Sequence, residues 1–410
     1  MLSRGRTLLR ASLLGALFLP VVAFVSCADT EKQEIAHEDA SIHIDAGGLD
    51  AASEGGCDAS DEGCAPALSC AEVPWCPVPT NVSAFAALTS VWGSSKTDVW
   101  AVGSNGTVVH WDGKAWTVVP TPTSFYPPKL PVKNTFYAVR GTGPNDVWIA
   151  SATDAVFRTR GYAGAATEWE NVRLPIEEGL DVPLFAIWGT SAADVRLAGR
   201  ASMMFDEMGE VVTVNAFTKT NLDDGGIGWQ GVPGTASVFG MWGSAANDIW
   251  LVADNSADVS WQRSMSLHGT LPSDASELEW AAVDTHSAVT LRAVWGSSAS
   301  DIWAVGDVGT IRHITSANAS DWEVVPSPTR EHLRAVWGST ADDVWAVGDA
   351  GTIIHYDGHT WSTTLAAFPA GKKPALHGVW GSARDDVWIV GDGVALHYTG
   401  GALGDAGGSR

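Results

Sequence analysis

Short apolar runs separated by turn-forming residues recur along most of this chain, and residues 333–358 show the pattern most clearly. Three runs, at 333–337, 344–347 and 352–356, are rich in β-branched and aromatic side chains, which is typical of short β-strands. Glycine, serine and aspartate fill the gaps; glycine accepts positive φ, and aspartate hydrogen-bonds its own backbone. A fourth run opens at Trp361. The pattern predicts a four-stranded antiparallel meander that needs copies of itself to bury both faces.

Two markers recur at a constant separation in seven such units. The first is Trp-Gly, at Trp92, Trp188, Trp242, Trp295, Trp337 and Trp380, with Arg140 in the tryptophan position once. The second follows eight residues later, at Trp100, Trp148, Trp250, Trp303, Trp345 and Trp388, with Arg196 in its place once. An aspartate precedes each second marker by two residues, at Asp98, Asp146, Asp194, Asp248, Asp301, Asp343 and Asp386. A constant separation predicts a constant hairpin register, because a slip of one residue would turn each side chain to the other face.

A third tryptophan closes six of the units, at Trp116, Trp169, Trp229, Trp280, Trp322 and Trp361. The seventh copy precedes the first unit, since the segment that begins at Trp75 resembles the segment that begins at Trp116. We therefore expect the strand at Trp75 to complete the last blade, and its prolines fit an outer edge strand. The sequence predicts an all-β, seven-bladed β-propeller in which the first two tryptophan positions lie between adjacent blades.

The first 27 residues have the pattern of a secretory signal peptide, with a basic start and an apolar stretch that is short for a membrane span. Residues 24–27, Phe-Val-Ser-Cys, resemble the lipobox of bacterial lipoproteins, and this resemblance implies lipidation of Cys27. Residues 28–70 hold eleven acidic side chains against one lysine and no aromatic residue, which predicts a disordered acidic linker. The predicted propeller covers residues 71–399, and a flexible tail covers 400–410.

Four cysteines besides Cys27 form an even set in a chain expected to be exported, which favours disulfides. They are Cys57, Cys64, Cys70 and Cys76. We expect the local pairs Cys57–Cys64 and Cys70–Cys76, although four cysteines allow three connectivities. Their spacing does not match that of a zinc site.

The repeat W-G-[ST]-x-x-x-D-[VI]-W-A-V-G-x-x-G-T-[IV]-x-H is clearest at residues 92–110, 295–313 and 337–355. It resembles the tandem repeats of bacterial exported propeller proteins, most of which are uncharacterised lipoproteins. The resemblance covers about residues 72–398 and implies the fold and an envelope location, without implying an activity. A more distant resemblance is to sialidase-type and photosystem-assembly-type propellers. The sialidase Asp-box, S-x-D-x-G-x-x-W, is not matched, so no sialidase residues carry over.

The repeats give only weak evidence for a catalytic or metal-binding site. We expect the seven repeated aspartates to accept backbone N–H bonds in their turn. A second set of aspartates follows glycine in the next turn, at Asp307, Asp349 and Asp392. We expect these side chains to stabilise the turn, and calcium binding is the alternative. Histidines occupy one strand position in four blades, at His110, His313, His355 and His397, and ring symmetry favours packing over metal binding. Nucleophile-elbow, zinc-protease and phosphate-loop motifs are absent, which weakens the case for an enzyme without excluding one. We expect no cofactor and no metal.

Departures from the repeat are concentrated in the second to fourth units. Arg140 and Arg196 replace tryptophan there, and we expect either ligand contact or buried ion pairs with acids such as Asp146 or Glu177.

Longer inserts also fall near these units, at residues 120–136 and 200–230. The first contains Phe125, Tyr126 and Lys129, which together predict a contact loop on one face of the ring.

The function that fits best is a non-catalytic binding module for a protein or a glycan, exported and lipid-anchored at the bacterial cell envelope. The formal net charge of −23 disfavours nucleic acid, and we expect a monomer that touches a membrane only through its lipid. The outer membrane is the favoured location, with a secreted or periplasmic protein as the alternative. The alternatives are a carbohydrate-active hydrolase or lectin and a structural envelope component. A hydrolase is kept as an alternative because glycosidases need only two carboxylates and no linear motif.

Overall fold

The computed structural model describes residues 68–122, 124–126, 130–153, 155–175, 182–205, 211–221, 227–254, 264–275, 277–368, 373–398 and 400. The predicted signal peptide, nearly all of the predicted linker and the predicted tail beyond residue 400 lie outside this part of the chain. So do the predicted lipidation site Cys27 and the cysteines Cys57 and Cys64. Within the described ranges, no helix has the length and apolar character needed to cross a membrane.

Seven four-stranded antiparallel sheets are arranged as the blades of a propeller, so the prediction of a seven-bladed β-propeller is confirmed. The first described strand is β1 (Trp75–Pro77), which belongs to the last blade. Blade 1 contains β2 (Leu88–Ser95), β3 (Asp98–Gly103), β4 (Val108–Trp111) and β5 (Trp116–Val118). A separate hairpin follows, with β6 (Ser124–Tyr126) and β7 (Leu130–Val132). Blade 2 contains β8 (Phe136–Gly143), β9 (Asp146–Ser151), β10 (Val156–Thr159) and β11 (Glu170–Val172).

The remaining blades repeat the same inner-to-outer strand order. Blade 3 contains β12 (Leu184–Ser191), β13 (Asp194–Phe205), β14 (Val211–Asn221) and β15 (Ile227–Pro233). Blade 4 contains β16 (Ser237–Ala245), β17 (Asp248–Asp254), β18 (Ser264–Thr270) and β19 (Glu279–Val283). Blade 5 contains β20 (Leu291–Ser298), β21 (Asp301–Gly306), β22 (Ile311–Ile314) and β23 (Glu323–Val325). Blade 6 contains β24 (Leu333–Thr340), β25 (Asp343–Gly348), β26 (Ile353–Tyr356) and β27 (Trp361–Thr363), and blade 7 contains β28 (Leu376–Ala383), β29 (Asp386–Gly391) and β30 (Val394–Tyr398).

Four short 3-10 turns complete the described elements. They are η1 (Ser104–Gly106), η2 (Gly164–Ala166), η3 (Asp307–Gly309) and η4 (Asp349–Gly351). Three of them connect the second and third strands of their blades, and each of these places one non-glycine residue at positive φ.

The N-terminal strand closes the ring, as the sequence predicts. β1 pairs with β30, with Trp75 opposite Tyr398, and the Trp75 side chain is completely buried. The Ala367 N–H group also donates to the Trp75 carbonyl oxygen at 2.9 Å, which ties the strand to the neighbouring blade. The first described strand therefore completes the last sheet and contacts blade 6.

The Trp-Gly marker is explained by contact between neighbouring blades. Each first-marker tryptophan packs against the glycine of the next blade, so that a Cβ atom at Gly381 would lie 2.6 Å from Cη2 of Trp337. The same contact joins Trp380 to Gly93 across the closure of the ring. Glycine is required because any larger residue would overlap the indole ring.

The second and third tryptophans form the deeper contacts between blades. In six interfaces the second-marker tryptophan of one blade meets the third tryptophan of the next in a T-shaped pair, with ring centroids 5.0 to 5.8 Å apart. The pairs are Trp100–Trp169, Trp148–Trp229, Trp250–Trp322, Trp303–Trp361, Trp345–Trp75 and Trp388–Trp116. All three tryptophan positions, and not only the first two, therefore lie between blades.

A disulfide joins Cys70 and Cys76, whose Cα atoms are 5.5 Å apart. Cys76 lies on β1, so the bond connects the strand that closes the ring to the segment that leads into it.

Candidate functional site: the mouth of the central channel

The seven inner strands surround a central channel with a volume of about 520 Å³. These strands are β2, β8, β12, β16, β20, β24 and β28. Small residues occupy the third position of six of these strands and the corresponding fourth position of β16, and they keep the channel open; they are Ser90, Ala138, Ala186, Gly240, Ala293, Ala335 and Gly378.

Every inner strand contains a β-bulge at its second residue or, in blade 4, at the corresponding Phe239. In β2, for example, Leu88 pairs with Gly103 and Ser90 with Val102, so Thr89 has no partner of its own in the ladder. A β-bulge bends the strand and re-aims a side chain. The seven bulged residues line the channel where it opens, and we name them the mouth ring: Thr89, Tyr137, Phe185, Phe239, Arg292, Arg334 and His377.

Blades 2 to 4 contribute an aromatic arc to the mouth ring. The rings of Tyr137 and Phe185 have centroids 5.3 Å apart, and those of Phe185 and Phe239 are stacked at 5.5 Å. Tyr137 exposes 38% of its surface, so this arc faces the channel opening rather than the core. Offset aromatic contacts of this kind form a continuous apolar surface.

Blades 5 to 7 contribute an ionic arc. Arg292 donates to both carboxylate oxygens of Asp307 at 2.9 Å, and Arg334 makes the same two-pronged contact with Asp349. His377 Nε2 lies 2.8 Å from a carboxylate oxygen of Asp392.

These carboxylates, assigned from the sequence to turn formation, thus contact a basic side chain of their own blade. The Arg292 guanidinium also lies 4.9 Å from the ring of Phe239 and joins the two arcs.

The charges at the ionic arc keep Asp307 ionised and leave arginine N–H donors available. Burial raises the pKa of Asp307, but hydrogen bonding and charge from Arg292 and the nearby His332 outweigh it, so the net pKa is lowered. The Asp307 carboxylate is therefore ionised at neutral pH. Each arginine of the arc uses two of its five N–H donors on its aspartate. The guanidinium groups retain donors for an incoming carbonyl or carboxylate.

The other end of the channel is lined by the first-marker residues. Five are tryptophans, at Trp92, Trp242, Trp295, Trp337 and Trp380, and Arg140 is the sixth. Burial lowers the pKa of Arg140 to about 10. Asp146 accepts instead from Arg158 Nε at 2.6 Å and from Thr142, so the predicted ion pair of Arg140 with Asp146 is wrong. Glu177, the other predicted partner, lies outside the described residues.

Arg196 has a different environment from that of Arg140. Its Nη2 donates to the Ala246 carbonyl oxygen at 3.0 Å and lies 3.2 Å from Oδ1 of Asp194 on the same strand. The acid that pairs with Arg196 is thus Asp194, which the sequence interpretation had assigned to the turn. Arg140 and Arg196 do not share a site: Arg140 lines the channel, and Arg196 lies between blades 3 and 4.

The repeated aspartates have side-chain partners, so the expectation of backbone N–H donors was wrong. Asp343, for example, accepts from the Ser339 hydroxyl at 2.5 Å and contacts His355 Nε2 at 2.7 Å. The His355 ring stacks on Trp345 at 4.0 Å. Blades 1, 4, 5 and 7 have the same contacts from serine and histidine to aspartate. The histidine also stacks on the second-marker tryptophan in blades 4, 5 and 7, whereas His110 of blade 1 meets Trp100 edge-on.

This arrangement is structural rather than catalytic. In a nucleophilic triad the histidine lies between the serine and the aspartate and removes the hydroxyl proton. Here the aspartate lies between the serine and the histidine, so the hydroxyl donates to the carboxylate and not to the imidazole. Within the described ranges, no three His, Cys, Asp or Glu side chains are grouped so that they could hold a metal ion.

The inserts predicted to form a contact surface belong to the face of the mouth ring. The hairpin of β6 and β7 places Phe125 opposite Pro131, and its base is held to the turn of blade 1, where Gly106 N–H donates to Asn134 at 2.6 Å. Lys129 lies outside the described residues. In blade 3, β13 and β14 extend as a long hairpin on which Met203 is 67% exposed.

The mouth ring was missed by sequence reasoning, although a signal was present. In each inner strand, one position lies between a residue that is always large and apolar and a residue that is always small. The residue at this middle position varies in type among the blades. His268 was missed as well, because an insertion places it 20 residues after Asp248 instead of 12.

Comparison with family models and with curated proteins finds no match to this sequence. Among solved structures, the chain is similar to YCF48 bound to D1 peptide, with a TM-score of 0.55 and 18% identity over 82% of this chain and 97% of that one. YCF48 from Cyanidioschyzon merolae has a TM-score of 0.56 and 16% identity, over 79% and 98% of the two chains. The WD40 propeller domain of Doa1 has a TM-score of 0.56 and 11% identity, over 80% and 98%. At these identities the comparisons show the fold alone.

Proposed function

We propose that this propeller is a non-catalytic protein-binding module that holds an extended peptide segment of a partner protein across the channel mouth. The observation that carries the proposal is the two-part mouth ring, in which six of the seven bulged residues form an aromatic arc and an ionic arc. A site that is apolar on one side and rich in hydrogen-bond donors on the other suits a peptide with apolar and acidic side chains.

The two arcs offer a peptide two kinds of contact, apolar surface on one side and hydrogen-bond donors on the other. The stacked rings of Phe185 and Phe239 offer apolar area at low entropic cost, because aromatic side chains have few rotatable bonds. The guanidinium groups of Arg292 and Arg334 are held in place by their aspartates and keep free N–H donors. Binding would therefore require little ordering of the site.

Two further observations support a peptide ligand. One of the similar propellers, YCF48, is known bound to D1 peptide. At the ionic arc of this chain, Asp307 and Asp349 are each paired with an arginine, and Asp392 contacts His377. They therefore do not form the unpaired acid and base that a glycosidase uses.

A random peptide library displayed on phage tests the proposal. We expect the protein to enrich peptides that combine aromatic or aliphatic residues with acidic ones. The double variant Phe185→Ala/Arg334→Ala should bind the enriched peptides at least about tenfold more weakly, which is a loss of about 1.4 kcal/mol. Val118→Ala, which is half-exposed on the outer strand β5, is the matched control and should bind as the wild type does. Enrichment that survives the double variant would place the ligand elsewhere.

The location is part of the proposal. The likeness of the repeats to exported bacterial propellers and of residues 24–27 to a lipobox supports an envelope protein anchored through Cys27. One acyl chain binds a membrane only marginally, whereas the multiple chains of a lipoprotein anchor hold it firmly. Replacing Cys27 with Ser should move the protein from the membrane fraction to the soluble one. Retention of this variant in the membrane fraction would disprove lipid anchoring.

A further inference from the structure

The interface between blades 3 and 4 lacks the pair of indoles that fills the other six. Arg196 stands where the second-marker tryptophan is expected, and Trp280, the third tryptophan of blade 4, lies over Gly269 of its own sheet. Trp280 is 37% exposed, whereas the third tryptophan of blade 5, Trp322, is 1% exposed.

The space left by these changes is an apolar cavity of about 240 Å³. Its walls come from both blades and include Phe217 and Val232 on one side and Met241, Leu251 and Leu267 on the other. An engineered cavity of about 150 Å³ lined by apolar side chains binds benzene in another protein. The cavity here is larger, and Trp280 at its rim reaches the surface.

Four positions explain why the cavity is open. The strand registers of blades 3 and 4 can be matched to those of blades 6 and 7, whose interface is filled. At each of the four positions the side chain in the blade 3–blade 4 interface is smaller or more polar. Trp345 corresponds to Arg196, Val347 to Ala198, Ile353 to Ala216, and Tyr398 to Gly269.

We propose that this cavity binds a planar aromatic ring of about the size of an indole. The six filled interfaces show that an indole fits between two blades at this place. Arg196 adds a polar contact: within the described chain its Nε–H group is buried without a hydrogen-bond partner. A guanidinium beside an aromatic face is also attractive in itself. The ring is either a small aromatic molecule or the side chain of a bound polypeptide.

The test uses fluoroindole and the purified full-length protein, with binding followed by fluorine NMR. We expect saturable binding to the wild type. Arg196→Trp, which restores the repeat, and Leu267→Trp, which fills the cavity from the opposite blade, should each weaken binding by at least about tenfold. Arg196→Trp should also raise the melting temperature, because filling a cavity stabilises a fold. If one variant fails to fold, the other still carries the test.

The source of the ring is distinguished with N-acetyl-tryptophanamide. Binding of this amide as tight as that of fluoroindole indicates a polypeptide side chain, and binding of fluoroindole alone indicates a small molecule. Val118→Ala, on the outer strand of blade 1, is the control and should bind fluoroindole as the wild type does. A wild type that does not bind fluoroindole, or cavity-filled variants that bind it equally well, would overturn the proposal.

Discussion

Blades 5 to 7 and blades 2 to 4 are built on the same strand plan but use it differently. Blades 5 to 7 keep nearly every marker, short turns and the aspartate–histidine pair, and their interfaces are filled by indoles. Blades 2 to 4 carry Arg140 and Arg196 in place of tryptophan, longer hairpins and an unfilled interface. The regular half, blades 5 to 7, keeps its interfaces filled, whereas the divergent half, blades 2 to 4, leaves one interface unfilled.

The mouth ring shows the same division on one surface. The regular blades present Arg292, Arg334 and His377, each tied to an aspartate, whereas the divergent blades present aromatic rings. A repeat protein can vary such positions at little cost to stability, because they face the channel rather than the interface between blades. At the mouth ring, the difference between the halves is therefore a difference in the exposed side chains.

The largest effect is expected from removing an indole in the regular half. Trp345 is completely buried and contacts both Trp75 and His355. Trp345→Ala should lower the free energy of unfolding by about 3–5 kcal/mol. Trp280→Ala, in the unfilled interface, should cost only about 1 kcal/mol. Urea denaturation of both variants measures the difference, and equal losses would contradict the contrast between the two interfaces.

A smaller effect is expected at the glycine that receives an indole. A Cβ atom at Gly381 would overlap Trp337, so Gly381→Ala should destabilise the protein by about 1–3 kcal/mol. Gly143, on β8 in blade 2, has open space around it, and Gly143→Ala should change stability by no more than about 0.5 kcal/mol. Thermal melts of the pair give the measurement, and a neutral Gly381→Ala would show that the blades can move apart.

The smallest expected effect is on the loss of stability at acidic pH, and it applies to both halves. Burial raises the pKa of Asp301 and Asp146, but hydrogen bonds to these carboxylates outweigh it: His313 and Ser297 bind Asp301, and Thr142 and Arg158 bind Asp146. The folded pKa values are therefore lowered.

A carboxyl group with a lowered folded pKa stabilises the fold above its unfolded pKa of about 4, and this stabilisation is lost as the pH falls. Asp301→Asn and Asp146→Asn should each reduce the loss of stability between about pH 5 and pH 3, as followed by denaturation at each pH. A variant whose pH dependence equals that of the wild type would show that its aspartate does not contribute.

The repeat made the blades predictable, and departures from it were harder to interpret. Trp75 could be assigned to the last blade because its neighbours match those of Trp116, and the structure pairs it with Tyr398. The partners of Asp343 could not be found in this way, because His355 is brought beside it only by the pairing of β25 with β26. The pairing of Arg196 with Asp194, two residues earlier on the same strand, was missed because the aspartate had been assigned to the turn.

The sequence by itself determined the number of blades, their register and the closure of the ring, because these follow from spacing and alternation along the chain. Tertiary structure alone brought Phe239 beside Arg292 and opened the cavity between blades 3 and 4. Those features depend on which side chains meet from different blades. Periodicity reports how a strand alternates, and it carries no information on how two strands distant in the sequence fill the space between them.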